Sequence, residues 1–172
     1  MEELKAQLPE TEKRLNGKIY ELDRQNALLQ AYVARENLVV VGVPEQKNEN
    51  GREDTELVFN KFVKENLEIE DKMEYQRVHR IFSKKPGPRP IKVRFLRYSD
   101  KEAVLRNAKK LRGKPQSVFD DLPPKIREAR RILLPHLKEA RQQNKKAIFS
   151  KSEPDKLIIE GKVISSDWSK LK

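Results

Sequence analysis

The chain has 172 residues, 36% hydrophobic and 38% charged, with a formal net charge of +11 and no cysteine. Without thiols, disulfides, thiolate metal sites and cysteine nucleophiles are excluded, and the fold rests on packing alone. The longest apolar stretch, Leu38 to Val43, is too short to cross a bilayer, and the polar, acidic start is unlike a signal peptide, so the expectation is a soluble intracellular protein with no membrane partner.

In chain order, residues 10 to 36 read as a heptad helix. Leu15, Leu22 and Leu29 fall seven apart, with Ile19, Asn26 and Val33 four residues after each. These are the d and a positions of a coiled coil, and Asn26 at an a position can fix register and oligomer state. Pro9 marks the expected helix start. The alternative is one amphipathic helix packing on the domain behind it.

Residues 37 to 121 alternate strand and helix signals. Leu38 to Val43 is a β-branched strand closed by Gly42 and Pro44. Asp54 or Thr55 caps a helix to about Asn66, with Leu57, Val58, Phe62 and Leu67 on its apolar side. Tyr75 to Phe82 is a second strand, followed by a basic loop broken by proline and glycine. Ile91 to Arg97 is a third strand of period two, with Ile91, Val93 and Phe95 opposite Lys92 and Arg94. Asp100 is expected to cap a helix through Leu111, and Ser117 to Phe119 forms a fourth strand. The order βαββαβ is the split-βαβ, ferredoxin-like arrangement.

Residues 122 to 172 form a third segment. Pro123-Pro124 opens a helix with the apolar stripe Ile126, Ala129, Leu133, Leu137 and Ala140, and Pro135 predicts a kink or break. Extended pieces follow at 147–150, 157–160 and 162–164. The expected fold class is therefore α+β: a coiled-coil helix (1–36), an RRM-like βαββαβ domain (37–121) and a small α+β C-terminal nucleic-acid-binding domain (122–172).

The positive charge is localised. From Arg77 to Arg97 there are eight basic residues and no acid, whereas Glu45 to Glu74 holds ten acids and five bases. From Lys125 to Lys146 eight bases meet only Glu128 and Glu139. Ordered elements that concentrate cations attract polyanions, of which nucleic acid is the commonest. The third-strand RRM consensus, with its glycine and stacking aromatics, is absent. Phosphate contacts are therefore expected to dominate, giving weak sequence preference and steep salt dependence. The competing reading is a protein-interaction module whose basic strip binds an acidic partner.

Catalytic signals are thin. His79 and His136 have no matching ligand spacing and read as structural. Asp120-Asp121 reads as a helix cap or turn rather than a paired-carboxylate site. No cofactor, metal or enzymatic activity is expected.

Several stretches are jointly familiar: Glu36-Asn37-Leu38-Val39-Val40-Val41-Gly42-Val43-Pro44-Glu45 after a heptad helix, Arg77-Val78-His79-Arg80 with its basic loop, and Arg89 to Phe95. Lys109-Lys110 through Gly113-Lys114-Pro115, Ala129-Arg130-Arg131 and a hairpin holding Phe149 complete the set. Over nearly its whole length the chain resembles the RNA-binding proteins encoded by the first reading frame of LINE-type non-LTR retrotransposons. That resemblance implies a homotrimer joined by its coiled coil. Each arm wraps single-stranded RNA, with single-stranded DNA a second ligand, and acts as a nucleic-acid chaperone in cytoplasmic or nuclear ribonucleoprotein particles. It also implies RNA contacts at Arg35, Arg80, Lys84, Lys85, Arg89, Arg94, Lys110, Arg112, Arg130 and Arg131. Phe149 stands where the family tends to place a tyrosine, keeping a stacking ring without the hydroxyl. The family's trimer signature is present only as Lys18-Ile19-Tyr20-Glu21-Leu22-Asp23, with conservative replacements at both charged ends.

Overall fold

The computed structural model describes residues 2–171. The chain is α+β, with a long N-terminal helix and two antiparallel sheets. Its elements are α1 (Glu2–Val33), β1 (Asn37–Val41), α2 (Thr55–Leu67), β2 (Tyr75–Arg80), β3 (Ile91–Phe95), α3 (Tyr98–Asn107), a 3-10 turn (Ala108–Leu111), β4 (Ser117–Asp120), α4 (Pro124–Gln142), β5 (Ala147–Phe149), β6 (Lys156–Ile159) and β7 (Lys162–Ser165), with a last 3-10 turn at Trp168–Lys170. They form two compact units. One comprises residues 34–121, and the other joins residues 2–33 to residues 122–171.

In the central unit the strand order is β2-β3-β1-β4. The alternation expected for the third strand holds: Ile91, Val93 and Phe95 are buried, while Lys92 and Arg94 are half-exposed on the other side. Leu38 and Val40 of β1 join the buried row. Helix α2 lays Val58, Phe59, Phe62, Val63 and Leu67 on it, and Val104 of α3 completes the core. Phe59, Tyr75 and Phe95 meet edge to face, with centroids 5.5 to 6.2 Å apart. Each such buried side chain contributes about 1.5–3 kcal/mol of transfer free energy, so the sheet face under the helices is fixed by burial.

Several local expectations shift. Asp54 caps α2 by accepting from the Leu57 amide at 3.0 Å. Leu57 itself is exposed, because the packed stripe starts one residue later, at Val58. Helix α3 begins at Tyr98, so Asp100 lies inside the first turn and offers no cap bond. Its carboxylate still suits the positive helix end. Gly42 adopts φ +79°, and a Cβ there would run into the Pro115 carbonyl oxygen. Only glycine lets the chain leave β1 that close to the turn before β4.

In the other unit, α4 carries its expected stripe: Ile126, Ala129, Leu133, Leu137 and Ala140 are all buried. Its Leu133, Leu137 and Ala140 pack on β5 and β6 of a three-stranded sheet ordered β5-β6-β7. Pro135 does not divide the helix. Arg131 and Pro135 are both exposed, so the carbonyl that loses its amide partner can turn to water. Pro9 likewise lies within α1 instead of starting it, and α1 ends at Val33, where a turn over 34–36 leads into β1.

Helix α1 belongs to this unit through a face that is not its heptad seam. Ala27 is buried, and Arg24, one turn earlier, is half-buried. Arg24 Nε donates to Asp155 Oδ2 at 2.7 Å and its Nη2 to Glu153 Oε1 at 2.8 Å. Asp155 is only 1% exposed and also accepts from the Trp168 indole at 3.1 Å. Lys125 of α4 reaches Asp23 at 2.7 Å. Removing the guanidinium strands a buried carboxylate, so Arg24→Ala is expected to destabilise this unit by about 2 kcal/mol. A chemical-denaturation midpoint measures it, and an unchanged midpoint contradicts the tether.

The seam itself is uncovered. Leu15, Ile19, Leu22, Leu29 and Val33 are 51% to 65% exposed, and Asn26 is exposed with them. Leu8, seven residues before Leu15, extends the row at 60% exposure. No helix among the described residues is long and apolar enough to cross a membrane.

Candidate nucleic-acid interface

Helices α2 and α3 cover one side of the central sheet, and the side chains of the opposite side form rows across the strands. Strand pairing places Arg77 beside Arg94 and Arg94 beside Asn37. One step along, it places His79 beside Lys92, Lys92 beside Val39, and Val39 beside Phe119. A register shift between Tyr75 and Arg77 lets Tyr75 pack in the core while Arg77 and His79 point outward. Asn37, Arg77, His79, Lys92 and Arg94 line an open groove of about 270 Å³. Phe119, 54% exposed, flanks these rows on the edge strand.

Two of the three cations here, Arg77 and Arg94, have no close carboxylate among the described residues. Arg77 has no carboxylate partner among the described residues. Arg94 reaches Glu36 only at 4.0 Å. Lys92 is held by Asp121 at 2.7 Å, and the same Asp121 oxygen accepts from the Asn37 amide at 2.9 Å. Burial holds the His79 imidazole below its usual pKa, with Arg77 and Lys92 adding to the effect. Three buried polar atoms in this groove have no hydrogen-bond partner in the chain: Asn37 Oδ1, His79 Nδ1 and Arg94 Nε. Among the described residues only Ser166 Oγ shares that condition.

The residues singled out by resemblance divide by environment. Arg94 lies in the groove. Arg80 does not act as a surface cation: its side chain is 4% exposed, against 6% for Glu53, its partner at 2.8 Å. All five of its N–H groups are used, two on Glu53 and three on the carbonyls of Val43, Pro44 and Arg89. Its role as an RNA contact is therefore corrected to a structural one, because a guanidinium with every donor spent inside the fold has none left for phosphate. Arg89 is exposed and pairs with Glu45 at 3.0 Å, which holds that carboxyl down to about 2. Lys84 and Lys85 are exposed in the basic loop, with no ion pair among the described residues, beside Phe82, which is 82% exposed.

Arg35 contacts Glu36 at 3.3 Å, and its carbonyl accepts from Lys101 at 2.6 Å. Lys110 is tied to Glu68 and the Leu67 carbonyl, whereas Arg112 is exposed. In the other unit, Arg130 donates to the Pro154 carbonyl at 2.7 Å and lies 4.6 Å from the centre of the Phe149 ring. One face of Phe149 thus already carries a guanidinium. Arg131 pairs with Glu128 one turn away, yet remains 71% exposed.

Asp120 and Asp121 do not cap α4, whose first turn has no side-chain cap. Asp120 holds buried Lys101 at 2.7 Å, and Asp121 holds Lys92 and Asn37. Ammonium groups in reach outcompete a helix end for these carboxylates.

Arg77, His79, Asn37 and Phe119 were not among the residues expected to bind. Strand alternation from Val78 and Val93 could have found Arg77 and His79. The placement of Phe119 depended on knowing that β4 pairs with β1. No protein-family model matches the chain.

Proposed function

We propose that the chain binds single-stranded RNA across the open face of its central sheet and self-associates through the outer seam of α1. Several copies then package and remodel one strand as a nucleic-acid chaperone. The carrying observation is the groove of Arg77, Lys92 and Arg94 flanked by apolar Val39 and Phe119. A strand needs cations along its backbone and flat apolar surface for its bases, and this face offers both. The strand order, with both helices on the far side, supports an RRM-like domain. The exposed Leu15, Leu22 and Leu29 row supports a coiled coil of identical chains, a homotrimer by resemblance. Cations on α4 would add contacts, and joined arms would raise avidity. The resemblance to retrotransposon RNA-packaging proteins gives this reading its biological setting.

An acidic protein partner is the competing occupant. In a filter assay at about 50 mM salt, the chain is expected to retain poly-U in the presence of excess polyglutamate. Preferential retention of polyglutamate contradicts the proposal.

A further inference from the structure

A phosphate backbone offers acceptors only, yet one of the buried, unpartnered polar atoms of the groove-lining residues, Asn37 Oδ1, is itself an acceptor. Asn37 is 8% exposed, and its Nδ2 donates to Asp121. Since a carboxylate only accepts, that bond fixes the amide orientation and turns Oδ1 away from Asp121. Oδ1 has no donor within the chain. On the neighbouring strand, directly paired with Asn37, Arg94 has a buried Nε–H with no acceptor. An anion would satisfy Arg94 and leave Asn37 Oδ1 facing another acceptor.

An adjacent acceptor and donor complement a planar edge that carries a donor next to an acceptor. Every nucleobase has one: N3–H and O4 of uracil, N4–H and N3 of cytosine, N6–H and N1 of adenine, N1–H and O6 of guanine. We propose that the groove between Asn37 and Arg94 takes one unpaired nucleobase edge-on, with Asn37 Oδ1 accepting from the base and Arg94 Nε donating to it. Arg77, Lys92 and the terminal Nη groups of Arg94 then hold the flanking phosphates. His79 Nδ1, also without a partner, lies at the same groove. The inference rests on the RNA-binding reading and adds a base subsite to it. Because all four bases carry such an edge, the subsite distinguishes unpaired bases from paired or blocked ones without reading sequence.

The test compares a 12-residue oligouridylate with the same oligomer of N3-methyluridine, which keeps the phosphates and ring faces and lacks the N3–H donor. The unsubstituted chain is expected to bind the methylated oligomer about tenfold more weakly, the scale of one good base-edge contact. Arg94→Lys, which keeps the charge and loses Nε, and Asn37→Ala are each expected to bind the two oligomers within about twofold of each other. Circular dichroism identifies a variant that fails to fold, and Arg94→Lys then carries the test. Equal binding of both oligomers by the unsubstituted chain overturns the base subsite and leaves the RNA reading standing. Discrimination that persists in the folded variants overturns the assignment to Asn37 and Arg94. Failure to bind either oligomer overturns the RNA reading and this inference together.

Discussion

Arg80→Ala lowers the stability of the central unit by about 3–5 kcal/mol, enough to unfold much of it, because it leaves Glu53 buried without its partner. This is the largest single-residue effect expected, and its cause is structural. Three carbonyls, those of Val43 and Pro44 after β1 and of Arg89 at the end of the basic loop, also lose their donor, so the loop loses its anchor. The pH dependence follows from Glu53. Burial alone would raise its pKa, but hydrogen bonds and charge from Arg80, with an amide bond from Gln46, bring it below the ordinary carboxylate range. A depressed folded-state pKa adds stability above the unfolded value of about 4.3, and that stability is lost as pH falls through the folded value. Denaturation at pH 7 against pH 3 is therefore expected to show a large gap between the unsubstituted chain and Arg80→Ala at pH 7, narrowing at pH 3. A well-folded Arg80→Ala with weakened RNA binding would restore the surface role.

Joint replacement of Arg77 and Arg94 by alanine is the second large effect, this time on binding. Neither guanidinium has a close carboxylate: Arg94 reaches Glu36 at 4.0 Å, and Arg77 has no carboxylate partner among the described residues. Each phosphate contact on a single strand contributes about 0.7 to the log–log salt slope, so losing two flattens it by about 1.4. Two charge-assisted contacts lower affinity on the order of thirtyfold near 100 mM salt. The control is Lys61→Ala with Lys64→Ala. These exposed lysines sit on α2, on the helix-covered side of the sheet, and remove the same charge. Their slope is expected to stay within a few tenths of the unsubstituted value. Equal loss from both pairs would mean that net charge alone drives binding and the sheet face has no special part.

Sequence pattern reveals what is local and hides what is paired at a distance. The β3 strand was legible because Ile91, Val93 and Phe95 alternate with Lys92 and Arg94, and burial enforces that alternation. The α4 stripe was legible for the same reason, at helical spacing. Arg80 was not, because its burial depends on Glu53, 27 residues away and packed against it only after the loop folds back. The α1 seam spacing was legible, but the packed face through Arg24 and Ala27 was not: Arg24 is drawn in by Asp155, 131 residues distant. His79 read as a structural histidine, although its ring lines the groove. The Asp120-Asp121 pair suggested a cap, yet the two carboxylates serve Lys101 and Lys92, whose proximity only the sheet creates. Phe119 carried no signal until β4 paired with β1.

A cationic sheet face that holds an unpaired strand through its phosphates must release counterions as it binds. Fluorescence anisotropy of a labelled single-stranded RNA 30-mer, titrated with the full chain across a salt series, measures that release. With roughly six phosphates neutralised per chain, the slope of log affinity against log salt is expected near −4. No binding at the lowest salt, or affinity that does not change with salt, overturns RNA binding by this face.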